Sequence, residues 1–126
     1  MKKVIHTDHA PAAIGPYSQA IEAGPFVFCS GQIALSADKN AAIPGDVKSQ
    51  TVQVMKNIEA VLGGAGLKFD HVVKTTIFLT DMADFATVNE VYGEHFKQNP
   101  PARSTVAVAG LPRGVKVEIE VLAHKG

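Results

Sequence analysis

The chain has no tryptophan, a single cysteine, and no surplus of charge of either sign. Lys plus Arg is 12 and Asp plus Glu is 12 over 126 residues, so the formal net charge is zero. No basic run gives the electrostatic footprint of a nucleic-acid binder, and no nucleic-acid partner is expected. Near-zero charge also means little self-repulsion, which is compatible with self-association. One cysteine, Cys29, rules out a disulfide within the chain and fits a reducing compartment. No apolar run approaches the ~20 residues that a membrane span needs. The segment MKKVIHTDHAP has two lysines with no apolar stretch behind them, so no secretory leader is expected. These absences together predict a cytoplasmic protein with no membrane partner, folded as one domain over residues 1–126.

What is present is a regular alternation of strand and helix signals. A short strand is expected near Val4, then two more over about Tyr17 to Ala23 and Phe26 to Ser30, joined at Gly24-Pro25. Residues 36–45 read as loop. Asp46 reads as an N-cap, followed by Val47, Val54, Met55, Ile58, Val61 and Leu62 at helical spacing, with Gly63, Gly64 and Gly66 ending the helix. His71 to Leu79 is β-branched and reads as a strand. Asp84 reads as the cap of a second helix with Phe85, Val88, Val91, Tyr92 and Phe96 on one face, ended by Asn99-Pro100-Pro101. Ser104 to Ala109 and Val115 to Ala123 follow as strands around Leu111-Pro112-Arg113-Gly114. Two helices can cover one face of such a sheet, so the expected class is an α+β sandwich with both helices on one side.

Symmetric pairing of the last two strands about Pro112-Arg113 makes a hairpin with two distinct faces. Val117, Ile119 and Val121 then oppose Val108, Val106 and Ser104 beneath the helices. Arg103, Thr105, Ala107 and Ala109 share the other face with Lys116, Glu118, Glu120 and Leu122. Small residues with a few charges suit either a solvated face or one packed against another copy of the chain. In that register Glu118 is ~13 Å along the strand from Leu122, the position opposite Arg103.

Few constellations carry chemistry. The five histidines are scattered, and His6 and His9 stand in an irregular segment with no further ligand nearby, so no metal is expected. Cys29, inside FVFCS, reads as a buried, inert thiol. No phosphate loop, serine elbow or dinucleotide fingerprint is present. Arg103 remains, with Glu118 and Glu120, Tyr17 and Ser30-Gly31-Gln32. Its planar fork suits a small carboxylic acid, or alternatively a structural bridge to Glu118 or Glu120.

APAAIGPYSQA (10–20), SGQI (30–33), VKTTIFLTDMADFATVN (73–89) and PARSTVAVAGLP with VKVEIE (101–120) together resemble the reactive intermediate deaminase family, also called YjgF or endoribonuclease L-PSP. The resemblance implies a chorismate-mutase-like α+β fold with an antiparallel-rich mixed sheet, assembled as a homotrimer around a barrel-like core, with clefts between subunits. It implies hydrolysis of 2-imino acids, such as 2-iminobutanoate and 2-iminopropanoate, or of their enamine tautomers, to 2-keto acids and ammonia. That activity would protect pyridoxal-phosphate enzymes, and it implies no metal or cofactor. Carried over by residue, Arg103 would bind the substrate carboxylate, Glu118 would handle water or a proton, and Tyr17 would line the site. Backbone at Gly31 and Thr105, and Asn89, would complete it. Many members have cysteine where this chain has Thr105, so a thiol-dependent role there is absent. A carboxylate beside an arginine is expected to stay ionised. The alternatives are a small-acid-binding regulator without turnover and a ribonuclease or translation inhibitor.

Overall fold

The computed structural model describes residues 1–126. The elements run β1 (Lys3–Ile5), β2 (Ala20–Ala23), β3 (Phe26–Gln32), α1 (Val47–Gly64), β4 (Val72–Leu79), α2 (Phe85–Gly93), β5 (Ala102–Ala107) and β6 (Val117–His124). The strands form one mixed sheet in the order β1-β2-β3-β6-β4-β5. No helix is long and apolar enough to cross a membrane. The α+β class and the element order agree with the sequence reading.

α1 begins where Asp46 accepts a hydrogen bond from the Ser49 N–H at 2.8 Å, as an N-cap must. It buries Val54, Met55, Ile58, Val61 and Leu62 against the sheet. It also buries polar staples that apolar periodicity does not reveal. Asn57 Nδ2 donates to the carbonyls of Ile33 and Leu35 at 3.1 and 2.7 Å. Gln50 donates to Pro44 O and accepts from the Lys116 N–H, both at 2.8 Å. Each staple ties a connecting segment to the helix, so buried backbone groups are not left unpaired.

β6 lies inside the sheet, antiparallel to β3 on one side and to β4 on the other. Its Val117, Ile119, Val121 and Ala123 are buried on the helix side. Its Glu118, Glu120 and Leu122 point to the opposite face, which no helix covers. Phe28 (50% exposed) lies opposite Leu122, with Phe26 two residues away on the same strand and also exposed. Cys29 is buried on the helix side, and burial pushes its thiol up to about 12, as an inert core residue requires.

The expected hairpin does not form. β5 pairs in parallel with β4, at the outer edge of the sheet, and β4 stands between β5 and β6. The unit β4–α2–β5 is a parallel crossover through a helix. Residues 108–116 then step across the end of β4, anchored where Val108 N donates to Leu79 O and Thr80 N to Lys116 O. A chain of that length spans the two strand spacings, ~10 Å, that separate β5 from β6. Sequence adjacency therefore misassigned the faces. Arg103 pairs with Thr75 and Thr105 with Ile77, both on the helix side, whereas Glu118 pairs with Phe78 on the open side. The strand bounds also shift: β5 begins two residues earlier than expected and β2 three residues later. α2 stops at Gly93, so Phe96 lies beyond the helix, its ring 4.7 Å from Tyr92 and 5.4 Å from Phe69.

α2 is locked to the sheet by the buried Thr75–Tyr92 hydroxyl pair at 2.8 Å. Tyr92→Phe leaves the Thr75 hydroxyl buried and without its partner, and should cost about 1–3 kcal/mol in urea denaturation. Adding Thr75→Val should recover part of that loss, because both polar groups are then gone. Equal losses in the single and double variants would mean that the unpartnered Thr75 hydroxyl carries no penalty of its own.

Candidate active site

Apart from Thr105, the candidate residues Arg103, Asn89, Tyr17, Gly31 and Glu118 fall into two clefts. The first, of about 390 Å³, is lined by Asn89, Tyr92, Phe96, Pro101 and Arg103 on the helix side of the β5 edge. Pro100-Pro101 ends the loop from α2 and delivers Arg103 as the second residue of β5. Arg103 Nη1 donates to Asn89 Oδ1 at 2.6 Å. Its guanidinium lies 5.1 Å from the Tyr92 ring centroid and 5.5 Å from that of Phe85. The ion pairs of the chain are His6–Asp8 and Lys125–Glu22, so no carboxylate holds Arg103. The structural bridge to Glu118 or Glu120 is absent. Burial raises the Tyr92 phenol, against opposing effects of its Thr75 hydrogen bond and of Arg103.

The second cleft, of about 490 Å³, is lined by Tyr17, Ser30, Gly31, Arg113 and Glu118, with Ile14 at its mouth. It opens on the uncovered face of the sheet. Tyr17 sits in the loop before β2 and is 54% exposed. That loop is pinned to β3. Ser30 Oγ donates to Ser18 O at 2.6 Å, and Ser30 N–H to Gln19 O at 2.9 Å. The buried Gln19 side chain bonds Thr7 on both backbone groups and donates to Pro11 O. Gln19 and Ser30 are thus positioning residues; the sequence reading singles out Ser30 with Gly31 and Gln32, but not Gln19.

The β3–β6 register shifts between Cys29 and Gln32, an irregularity that brings Gly31 beside Glu118. A Cβ at position 31 would overlap the Glu118 carboxylate. The glycine therefore clears the space in which the carboxylate sits. Glu118 is half-buried there, and its pKa is raised, first by burial and then by the neighbouring Glu120. This corrects the expectation of a carboxylate kept ionised by an arginine, because Arg103 does not reach it. From the register, Arg103 and Glu118 are two strands and three residues apart, on the order of 14 Å, and on opposite faces. Within one chain the two cannot share a ligand.

Thr105 follows Arg103 on the helix side, and its Oγ1 is buried without a hydrogen-bond partner. It lines neither cleft. A third cleft, of about 500 Å³ around Phe69, Asp70, Glu94 and His95, contains none of the candidate residues.

Comparison with known proteins places the chain in a family. Residues 7–125 match the family described as endoribonuclease L-PSP. Protein DfrA of Myxococcus xanthus is 56% identical, over 97% of this chain and 95% of that protein. A mouse protein named 2-iminobutanoate/2-iminopropanoate deaminase is 48% identical, over 100% of this chain and 93% of that one. A solved Yersinia pestis structure, described as a protein of unknown function in the conserved Rid family, superposes with a TM-score of 0.95 at 50% identity. It covers 98% of this chain and 99% of that chain. The chain belongs to the RidA/YjgF family, the endoribonuclease L-PSP family of that match.

The Glu118 environment makes a stability prediction. A carboxyl whose folded pKa is raised binds its proton more tightly in the folded state. Stability therefore falls as pH rises from the ordinary glutamate range through the raised value, and the loss is complete above it. Glu118→Gln removes this dependence. The variant should melt at or above wild type at pH 7, and the gap should close near pH 4. A variant that melts lower at pH 7 would mean that the ionised carboxylate stabilises the fold.

Proposed function

We propose that the protein hydrolyses reactive 2-imino acids, and their enamine tautomers, to 2-keto acids and ammonia. The observation that carries this reading is the free fork of Arg103, held over two aromatic rings with Asn89 as its one hydrogen-bonded side chain. A guanidinium so placed can take a carboxylate in two parallel bonds. The likeness to a mouse protein named as a 2-iminobutanoate/2-iminopropanoate deaminase supports the same substrate class.

The working site is assembled between chains, in a homotrimer with a barrel-like core. The Arg103–Asn89 cleft of one subunit closes over the Tyr17–Gly31–Glu118 cleft of its neighbour. The separation of these groups within one chain supports that arrangement, as does an open sheet face carrying Phe28 and Leu122. Thr105 reaches the ligand through its backbone. The lone buried thiol fits a cytoplasmic enzyme.

The chemistry asks little of the protein. The imine carbon is already electrophilic, so catalysis consists of orientation, water delivery and proton movement. Arg103 fixes the carboxylate and so the position of C2. Glu118 accepts a proton from the attacking water and returns one to the nitrogen, which leaves as ammonia. A carboxyl raised above its ordinary value is the better proton carrier near neutral pH. Tyr17 hydrogen-bonds ligand or water at the cleft wall.

The test couples a threonine dehydratase to the protein and traps the imine with semicarbazide. Wild type should suppress the semicarbazone. Arg103→Ala should lose ~10²-fold or more of that effect while keeping its melting temperature and oligomeric state. Full suppression by Arg103→Ala would overturn the carboxylate role. Binding of 2-keto acids by a wild type that leaves imine decay unchanged would make the protein a small-acid-binding regulator.

A further inference from the structure

The chain holds two arginines, and the site described above uses one of them. The other, Arg113, lines the same cleft as Tyr17, Gly31 and Glu118. It is exposed and takes part in neither ion pair of the chain. Its backbone is left-handed, with φ 61° and ψ 15°, a region disfavoured for any residue with a Cβ. Gly114 beside it is left-handed too, with φ 68°. Pro112 sets the start of this tight turn, which closes with Gly114 N–H donating to Leu111 O at 3.2 Å. The turn leads directly into the strand that carries Glu118. A long cationic side chain held in strained backbone at a cleft wall is better explained by function than by folding.

Charge gives the chemistry. A ligand with one carboxylate is satisfied by Arg103 of the facing subunit. A ligand with a second carboxylate would meet Glu118 alone and be repelled, unless a cation shared that cleft. Arg113 is that cation, and its fork can take the second carboxylate in two bonds. We propose that Arg113 determines specificity, admitting 2-imino acids with an acidic side chain, 2-iminosuccinate among them, beside those with small apolar side chains. This rests on the deaminase reading and on its inter-subunit site. The reaction itself is unchanged: water adds at C2, the C=N bond gives way to C=O, and ammonia leaves.

The experiment compares wild type, Arg113→Ala, Arg113→Gly and Arg113→Lys on two imines trapped by semicarbazide. One is 2-iminobutanoate, made from threonine by a dehydratase. The other is 2-iminosuccinate, made from aspartate by an amino-acid oxidase. The readout is the ratio of kcat/KM for 2-iminosuccinate to that for 2-iminobutanoate. It should fall about 10-fold or more in Arg113→Ala and recover in part in Arg113→Lys. Arg113→Gly relieves the backbone strain without restoring the charge, so it should match Arg113→Ala. An unchanged ratio in Arg113→Ala, or a wild type that suppresses only the 2-iminobutanoate adduct, overturns the proposal. Calorimetric titration with succinate and with butanoate separates this from the deaminase reading. If wild type consumes neither imine, that reading fails, yet succinate binding that Arg113→Ala loses would still assign the second anion to Arg113. Equal succinate binding by both proteins would overturn it.

Discussion

Alternate side chains of β6 must point to opposite faces of the sheet, and much else depends on that constraint. β6 is paired on both edges, so it can neither slip in register nor turn over without breaking two ladders. Val117, Ile119, Val121 and Ala123 fix the helix side as core. Glu118 and Glu120 are then committed to the open side, whatever their desolvation costs. The raised pKa of Glu118 is a direct result: its strand leaves it half-buried beside Glu120, with no cation paired to it. Strand geometry and the burial that follows thus hold this carboxyl above its ordinary pKa.

The same geometry separates Arg103 from Glu118. Both lie on strands of one sheet, but β5 is parallel to β4 and reaches its place through α2. A parallel crossover of this kind sets β5 at the edge, beyond β4, with α2 packed on the helix side. Arg103 therefore meets Asn89, Phe85 and Tyr92 of α2. An edge strand also has one row of backbone groups without strand partners, and such an edge invites a neighbour. The arginine stands at this edge, where a second chain could reach it.

Much of the fold was legible because it follows from local rules. The helix start at Asp46, the end of α1 near Gly66, the buried Cys29 and the apolar face of β6 all follow from capping, glycine punctuation or periodicity. The pairing of β5 was not legible. A Pro-Arg-Gly turn between two β-branched runs reads as a hairpin, and no local signal shows that β4 will lie between them. That one error carried Arg103 to the wrong face and placed it beside Glu118. The family motif supplied the candidate residues as a group, but a motif has no faces. The Gly31–Glu118 contact was hidden for a similar reason: it arises from an irregular register between strands far apart in sequence. Gln19 was hidden because a side chain that bonds backbone leaves no periodic trace.

Why should the chain leave its charged groups unpaired? Glu118 would be held more cheaply with a cation beside it, since a half-buried ion costs less when partnered. Sheet topology instead keeps Arg103 on one face and Glu118 on the other. Each cleft thus holds part of a constellation that is incomplete by itself. Arg103 has only a neutral amide and two rings, and Thr105 Oγ1 has no partner at all. Small side chains at Ala102, Ser104 and Ala107 leave the edge beside them free of bulk. Such an edge fits closely against another sheet, and so supports the proposed assembly over a solvated monomer. In the proposed assembly two facing edges would orient a small ligand, which is the main demand of the proposed reaction.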